Sequence, residues 1–421
     1  EHLEIPRALS TLFWLLGGLF LYCLAVRLMP PDGAIAATAY FLLNPLGVRA
    51  SVSFLPDPLM IGLFAATLLG IVRWFDRPTR TRLAVATGLA ALAVLVKPLC
   101  LFGILGGFAA LGLRNRGGLR RVLDPPFLLF VGGALLPAIA YYGYGVLFEA
   151  RPLGPNGGMA AWDSVARQWS VTFDPARLAA LDYWKGWLRT AVSASGSGPL
   201  VAGLVGIALA RPADGRPLLL GLLAGYVASC LVFTYHITFA AYYHLQLLVP
   251  VALGSGVLVA VVMEWLRATI RGPWPWAPPL AAGLVLAVES LHAIRDTVRS
   301  GWIEPPAIAR EIGELIDHSD RTVHVAAYYG MPLQYYGEFF GVWWPAADEE
   351  VTFPSRGIRY RSVQDRLRIL PLEPEYFVIT DRRRYEMRHA DLKAFLELNC
   401  QPIAERPAYL VYGRCRTGQS D

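Results

Sequence analysis

The sequence predicts an α-helical protein that crosses a membrane many times and ends in a small α/β domain. Of the 421 residues, 55% are hydrophobic and 17% are charged, and the mean hydropathy is +0.42. A soluble protein of this length does not need so much apolar surface for its core. Long apolar runs extend to about residue 295, and the chain from Gly301 to Asp421 is mixed and charge-rich. We therefore predict a membrane region over residues 1–297 and a separate domain over 298–421.

The apolar runs set the number of helices. A bilayer core about 30 Å thick needs roughly 20 apolar residues per helix, and this length predicts about ten spans. Their predicted bounds are Leu9–Met29, Gly33–Leu55, Pro58–Phe75, Leu83–Val96, Leu99–Leu113, Pro126–Phe148, Leu200–Ala210, Pro217–Tyr235, Tyr243–Leu266 and Trp274–Ile294.

Arginines in alternate connections predict the orientation of these spans. They are Arg27, Arg73, Arg77, Arg80, Arg82, Arg114, Arg116, Arg120, Arg121, Arg211, Arg216, Arg267 and Arg271. Since basic loops stay in the cytoplasm, the long loop 149–190 and the C-terminal domain are expected outside. The four tryptophans of that loop favour contact with the membrane surface: Trp162, Trp169, Trp184 and Trp187. Ten spans place both ends of the chain outside, and the first residue is Glu1, so we expect one more helix and an external segment upstream.

Three ions stand at predicted external ends of apolar runs. Asp57 lies between Pro56 and Pro58, which fix the backbone and start the next helix, where negative charge is favoured. Lys97 interrupts an apolar run at a turn, and Arg49 lies near the end of its span. Solvated or snorkelling side chains would explain all three. A functional site would explain them as well.

An external acid beside cations at the membrane edge fits the transfer of a sugar from a polyprenyl phosphate. The carboxylate would accept the proton of the acceptor as a general base. A lysine or arginine would stabilise the charge that accumulates on the departing phosphate. A lipid-linked donor would also require a site among helices at the bilayer surface.

Four stretches resemble, in order, a known family. They are "PRALSTLFWLLGGLFLYCLAVRL", "FLPDPLMIGLF", "GLAALAVLVKP" and "AAYYHLQLLVPVALGSGVLV". Together they are similar to helices of the C-type (GT-C) glycosyltransferases, in the bacterial branch related to protein O-mannosyltransferases and to the aminoarabinose transferase of lipid A. The resemblance covers roughly residues 5 to 295, and the tail is similar to the periplasmic domain of these enzymes.

The resemblance implies roles for particular residues. Asp57 would lie at the active-site face as a catalytic acid or base, and Lys97 near the lipid phosphate, with Arg49 and Arg7 as weaker candidates. The segment Tyr242–Pro250 matches a "YY…P" pattern of the family and implies substrate contacts by Tyr242, Tyr243 and His244. The principal acid of the family lies in a first external loop that has no counterpart here.

The resemblance also implies partners and a location. The donor would be a polyprenyl-phosphate sugar and the acceptor an envelope glycan, lipid or protein, in a multi-pass protein of the bacterial inner membrane. A divalent metal is left open: His236 and His244 could be ligands, although no carboxylate is suitably spaced. The net charge of +6 comes from cytoplasmic arginines and needs no nucleic acid. The alternatives are a catalytically inactive scaffold and a lipid or sugar transporter, although paired broken helices in two related halves are not visible.

The sequence of residues 298–421 predicts a small α/β domain. "AIAREIGELIDHS" and "DLKAFLELN" have a helical period, whereas "RTVHVAA", "EYFVIT" and "PIAERPAYLVYG" are strand-like. "YYGMPLQYYGEFFGVWWP" could stack on sugars or lipid headgroups, or could supply core residues and a membrane-facing rim. Cys400 and Cys415 could form a disulfide in an oxidising compartment, while Cys23, Cys100 and Cys230 lie inside predicted spans.

Overall fold

The chain forms two compact units. The computed structural model describes residues 4–53, 55–116, 124–144, 173–211, 215–269, 277–299, 306–344, 362–370 and 372–415. Unit 1 comprises Glu1–Glu149 with Thr172–Asp296, and unit 2 comprises Ala150–Val171 with Thr297–Asp421.

Unit 1 is a helix bundle. In chain order the described helices up to residue 299 are α1 (Glu4–Leu28), α2 (Pro31–Leu43), α3 (Pro45–Ser51), α4 (Asp57–Asp76), α5 (Arg80–Val96), α6 (Leu101–Arg116), α7 (Pro125–Tyr144), α8 (Pro175–Leu178), α9 (Leu181–Ser195), α10 (Ser197–Leu209), α11 (Arg216–Val232), α12 (Leu248–Thr269) and α13 (Ala277–Arg299). Each predicted span coincides with at least one of these helices.

Fewer helices are long and apolar enough to cross a bilayer by themselves. Within the described residues four meet that requirement: Glu4–Leu28, Asp57–Asp76, Pro125–Tyr144 and Ala241–Thr269. The pair Leu181–Ser195 and Ser197–Leu209, bent by 93°, would be a fifth if it counts as one span. Pro98–Arg114 and Arg216–Val232 are shorter apolar helices. The total of ten spans therefore stays a prediction.

One predicted span is broken. The run 33–55 does not form one helix, because α2 ends and α3 begins at Asn44. The following Pro45 disfavours helical backbone at Asn44, whose ψ of 129° is extended. The Asn44 side chain accepts a hydrogen bond from the amide of Gly47 at 3.1 Å and so caps α3. The prediction of a continuous helix there was wrong.

The predicted loop 149–190 is helical in its described part. Residues 173–190 contain α8 and most of α9, so Trp184 and Trp187 belong to a helix. Trp162 and Trp169 lie outside the described residues.

Close backbone contact joins some of the helices of unit 1. A Cβ built on Gly106 of α6 would lie 2.2 Å from the carbonyl oxygen of Gly221 in α11, and one on Gly225 would lie 2.2 Å from that of Phe102. Because lipid is as apolar as the side chains, helices in a membrane associate through this kind of close packing. Glycine is therefore required at these two positions.

The two ends of the bundle differ in their ion pairs. At the end where α1 and α4 finish, called here the arginine end, Arg27 pairs with Asp76 at 2.6 Å, and Arg267 pairs with Asp32 at 2.6 Å. At the other end, called here the site end, α4 begins and α5 finishes. Twenty residues of α4 separate the two ends by about 30 Å.

Unit 2 contains a five-stranded sheet in the order β2-β1-β3-β5-β4. Strands β1–β2 and β1–β3 pair parallel, and β3–β5 and β4–β5 pair antiparallel. Its elements are α14 (Pro306–Leu315), β1 (Thr322–Val325), α15 (Met331–Gly337), β2 (Gly341–Trp343), α16 (Val363–Ile369), β3 (Tyr376–Ile379), α17 (Arg382–Arg388), α18 (Ala390–Asn399), β4 (Gln401–Glu405) and β5 (Leu410–Gly413). The predicted helices and strands of the tail are confirmed.

Both faces of this sheet are covered. Val323 and Phe377 pack in one core with Trp344, whereas Val378 packs in the other with Phe339. Trp344 and Phe339 show that the stretch 328–345 supplies core residues. Met331, Tyr335 and Phe340 from the same stretch are exposed. A disulfide joins Cys400, next to the end of α18, to Cys415, two residues after β5.

Candidate functional site

Asp57 is the first residue of α4, and its carboxylate is buried. Pro56 and Pro58 flank it, with φ of −70° at Pro56, and neither proline loses a helical hydrogen bond because the first turn has none to lose. The positive end of the helix dipole favours the carboxylate. Only 2% of Asp57 is exposed, so the surface position predicted from the sequence is corrected to a buried one.

Lys97 lies at the turn between α5 and α6. Its backbone is extended, with φ of −159° and ψ of 115°, because Pro98 follows and disfavours helix at the preceding residue. A 3₁₀ turn over Pro98–Cys100 then leads into α6.

Asp57 and Lys97 form an ion pair. The Nζ of Lys97 donates to Oδ1 of Asp57 at 2.7 Å, and the lysine side chain is 18% exposed. A charged partner explains how a carboxylate tolerates burial at this position. The side chain of Lys97 is less completely buried than that of its partner.

Two tyrosine rings complete the surroundings of Lys97. The Nζ lies 4.6 Å from the ring centroid of Tyr242 and 5.0 Å from that of Tyr243. Aromatic faces attract cations at these distances. The structure thus brings Asp57, Lys97, Tyr242 and Tyr243 together, and this group is called here the Lys97 cluster.

The two tyrosines belong to an irregular segment, residues 233–247, between α11 and α12. It contains 3₁₀ turns over His236–Thr238 and Ala241–Leu247. Side chains of α9 hold the segment: Thr190 donates to the carbonyl of Thr238 at 2.8 Å. Tyr183 of the same helix donates to the carbonyl of Cys230 at 2.7 Å, in the last turn of α11 before the segment begins.

His244 anchors the same segment from the interior. Its Nε2 lies 2.8 Å from the carbonyl oxygen of Ile237, which can only accept, so Nε2 carries the proton. Nδ1 then accepts from the hydroxyl of Tyr226 at 2.7 Å, and Trp187 donates to that hydroxyl at 2.9 Å. The ring of His244 is fully buried. The substrate contact predicted for His244 is therefore not provided in this structure, and the residue instead positions its neighbours.

His236 lies on the other side of Tyr243. The two rings stack with centroids 5.1 Å apart and planes within 5°. Burial lowers the pKa of His236 below its ordinary value, and the charges of Lys97 and Arg177 lower that pKa further. The ring is therefore neutral at pH 7. Its buried Nδ1 has no hydrogen-bond partner among the described residues.

Arg177 is a second cation beside His236. Its guanidinium lies 4.7 Å from the ring centroid of Tyr235, and it pairs with Asp174 at 3.5 Å. Sequence reasoning did not single out Arg177. The aromatic run "FTYHITFAAYYH", which surrounds His236, was the available signal.

Arg49 and Arg7 are exposed at the site end. Thr11 donates to the carbonyl of Ser51 at 3.0 Å, which joins the start of α1 to the end of α3. Helix α3 also packs against the 3₁₀ turn Ala241–Leu247. The structure pairs neither arginine with a carboxylate in the part of the chain that it describes.

A metal centre has no support from clustered ligands in the described ranges. No three histidine, cysteine, aspartate or glutamate side chains there lie close enough to hold an ion. His236 and His244 are engaged with aromatic and backbone partners instead.

Neither a family model nor a curated protein matches the chain in sequence. Solved structures do match it in fold. The crystal structure of ArnT from Cupriavidus metallidurans bound to undecaprenyl phosphate has a TM-score of 0.57 and 15% identity, covering 99% of this chain and 85% of that one. The apo structure of the same protein has a TM-score of 0.56 and 15% identity, with coverage of 96% and 83%. The chain therefore has the GT-C fold that its sequence resembles.

Proposed function

We propose that this protein is a membrane glycosyltransferase that moves a sugar from a polyprenyl-phosphate donor to an acceptor at the site end of the bundle. One observation carries the proposal: Lys97 lies partly open at the site end beside a buried acid and two tyrosines. Additional support comes from the fold, which matches that of a protein whose crystal structure holds undecaprenyl phosphate.

The chemistry assigns a different task to each member of the Lys97 cluster. The donor phosphate binds Lys97 in competition with Asp57, since both are anions that seek one ammonium group. Asp57 accepts the proton of the acceptor hydroxyl, and the oxygen of that hydroxyl forms a bond to the anomeric carbon of the sugar. The bond from that carbon to the phosphate oxygen breaks, and its electron pair stays on the phosphate, which Lys97 stabilises.

Tyr242 is exposed and offers an aromatic surface beside the ammonium group, where a sugar ring can stack. Tyr243 lies between Lys97 and His236 and positions both. Arg49 and Arg7 are exposed at the site end and pair with no carboxylate among the described residues, so they could neutralise the lipid phosphate. His236 adds no charge to the site, since burial and the neighbouring cations lower its pKa, and it supports the ring of Tyr243 by stacking. His244 holds the segment that carries these tyrosines through its hydrogen bonds with Tyr226 and with the carbonyl of Ile237.

The location follows from the charges at the two ends. Basic residues favour the cytoplasm, so the arginine end is assigned to the cytoplasmic side of a bacterial inner membrane and the site end to the periplasm. Residues 1–297 then form the catalytic membrane region. The domain 298–421 is assigned to the periplasm, where its disulfide would persist.

The decisive experiment uses the protein expressed from its complete open reading frame and reconstituted in liposomes with a labelled polyprenyl-phosphate sugar. Candidate acceptors are an envelope glycan, a lipid and a protein, each offered separately. Label moving onto an acceptor supports the proposal. Label crossing the bilayer without transfer would indicate a transporter, and binding without either would indicate an inactive scaffold.

A further inference from the structure

Helix α9 has three distinct faces. Tyr183, Thr190 and Ala194 are buried against the bundle. Leu181 and Leu188 are 66% and 61% exposed, and Trp184 is 36% exposed. At about 100° per residue these three apolar side chains fall within roughly 60° of arc. An exposed apolar stripe of this kind is unfavourable in water and indicates contact with another apolar surface.

A charged stripe borders the apolar one, with Lys185 and Arg189 next to the apolar side chains and Asp182 at its far edge. Lys185 and Arg189 are exposed, four residues apart, and so lie on one face of the helix. Among the ion pairs of the described residues neither takes part. Trp184 stands at the opposite edge of the apolar stripe, and tryptophan is enriched where hydrocarbon meets headgroups.

The direction of the next helix indicates which apolar surface covers the stripe. Gly196 has φ of 80°, which only glycine adopts without strain, and α9 and α10 meet there at 93°. Helix α10 is apolar, with Val201 and Leu204 exposed toward its surroundings. Gly203 and Gly206 of α10 pack against the backbone of Val251 and Gly254 in α12, which is long and apolar enough to cross a bilayer. Since α10 packs along that helix, a helix at 93° to α10 runs close to the membrane plane.

We propose that α9 lies in the bilayer surface, with Leu181, Trp184 and Leu188 in the acyl region and with Lys185 and Arg189 bound to anionic lipid phosphates. Amphipathic helices with basic polar faces bind membranes in this way, and each cation near an anionic surface adds to the attraction. The same helix holds the segment 233–247 directly through Thr190. Trp187 acts on it through Tyr226 of α11, which in turn bonds His244. Lipid contact therefore steadies the turn that carries Tyr242 and Tyr243.

Spin labels on neighbouring residues test this arrangement without any assay of activity. Leu188→Cys and Arg189→Cys are labelled separately in the complete protein, and the parent chain sets the background from Cys23, Cys100 and Cys230. In nanodiscs containing phosphatidylglycerol, the label at 188 should relax faster with oxygen, which concentrates in lipid. The label at 189 should relax faster with a water-soluble nickel complex.

Charge dependence tests the headgroup contact. Replacing phosphatidylglycerol by phosphatidylcholine should reduce the depth of the label at 188, and Lys185→Gln with Arg189→Gln should reproduce that reduction in anionic nanodiscs. Equal nickel access at 188 and 189 would overturn the proposal, as would a depth indifferent to both changes. A label at 188 shielded from both reagents would mean that a protein surface covers the stripe, and would also overturn it.

Discussion

A buried ion pair holds the candidate site together at the scale of single residues. Asp57 and Lys97 are 40 positions apart in sequence and 2.7 Å apart in space. Removing one member of such a pair is costlier than removing both, because the other is left charged and poorly solvated. This asymmetry separates structural from catalytic effects when Asp57 is replaced alone and then together with Lys97.

Lys97→Ala should weaken binding of polyprenyl phosphate by about 10- to 100-fold, the loss expected for one charge-assisted hydrogen bond. Lys97→Arg should keep part of the affinity, since the charge remains while its geometry changes. Binding is measured by scintillation proximity in nanodiscs. Lys393→Ala, at an exposed lysine of unit 2, is the control. Unchanged affinity in Lys97→Ala would mean that this lysine only pairs with Asp57.

Asp57→Asn should lower turnover by about 10²- to 10⁴-fold if the carboxylate takes part in proton transfer. Because the residue is 2% exposed, stability should also fall, by about 1–3 kcal/mol.

The double variant Asp57→Asn with Lys97→Met removes both charges. It should recover thermal stability relative to Asp57→Asn while remaining inactive. If Asp57→Asn kept full turnover, the acid would be a structural partner of Lys97 and nothing more.

The sequence indicated several residues of the site but not their contacts. Asp57, Lys97, Tyr242 and Tyr243 were all predicted, each from its position beside a proline or in a motif. Their proximity depends on how α4, α5 and the segment 233–247 pack, and no local pattern encodes that packing. The burial of His244 is also set by distant residues, Tyr226 and Trp187.

At the scale of elements, a segment without regular secondary structure is held in place by hydrogen bonds from side chains of neighbouring helices. The segment 233–247 has such bonds from α9 and α11. The sequence predicts a loop over residues 149–190, because this stretch lacks a long apolar run, and so it hides most of α9. The spacing of Leu181, Trp184 and Leu188 was a helical signal that could have revealed it.

The α6–α11 contact leads to a prediction about glycine. Gly106→Ala should destabilise the bundle by about 1–3 kcal/mol, because the new methyl group would collide with the backbone of α11. Gly88→Ala in α5 is the matched control: its Cβ meets nothing within 4 Å, and alanine favours helix over glycine. Thermal unfolding in detergent compares them. Equal melting temperatures would contradict the close approach of α6 and α11.

Strand β1 contains a histidine that should make unit 2 sensitive to acid. Burial lowers the pKa of His324 to about 4, whereas an unfolded histidine titrates near 6.5. Below about pH 6.5 the unfolded state therefore binds more protons, and stability falls by about 1.4 kcal/mol per pH unit until pH 4. Pulse proteolysis of the whole protein between pH 7 and 4.5, with tail fragments identified by mass spectrometry, measures this slope.

His324→Gln is the control for that slope. The variant starts from a different stability because the ring packs against Gly330, so the change with pH is compared and not the absolute value. A slope identical to that of the parent would assign the acid sensitivity to other groups.

At the scale of the whole molecule, a membrane bundle and a compact α/β domain occur in one chain. Charge and hydropathy shift near residue 300, and the domain boundary that composition predicts there stays a prediction. Composition did not give the strand order β2-β1-β3-β5-β4, because strands of three to five residues carry too little pattern to specify their neighbours.

Opening the disulfide should loosen unit 2 and leave unit 1 unchanged. Cys400 and Cys415 enclose a separation of 15 residues, for which loop entropy gives about 3 kcal/mol. Cys400→Ser with Cys415→Ser should therefore increase hydrogen exchange in β4 and β5. Exchange in α4 and α12 is the internal reference. No change in β4 and β5 would show that packing alone secures the sheet edge.

The order of synthesis gives that disulfide a further consequence. Strands β1, β2 and β3 leave the ribosome first, and β5, which pairs with β3, comes after β4. The second cysteine follows β5, so oxidation has no substrate until every strand of the sheet has emerged. In a pulse-chase experiment, the bond should therefore appear only after all the strands of the sheet have been synthesised. Earlier intermediates should have both cysteines reduced and the edge of the sheet unpaired.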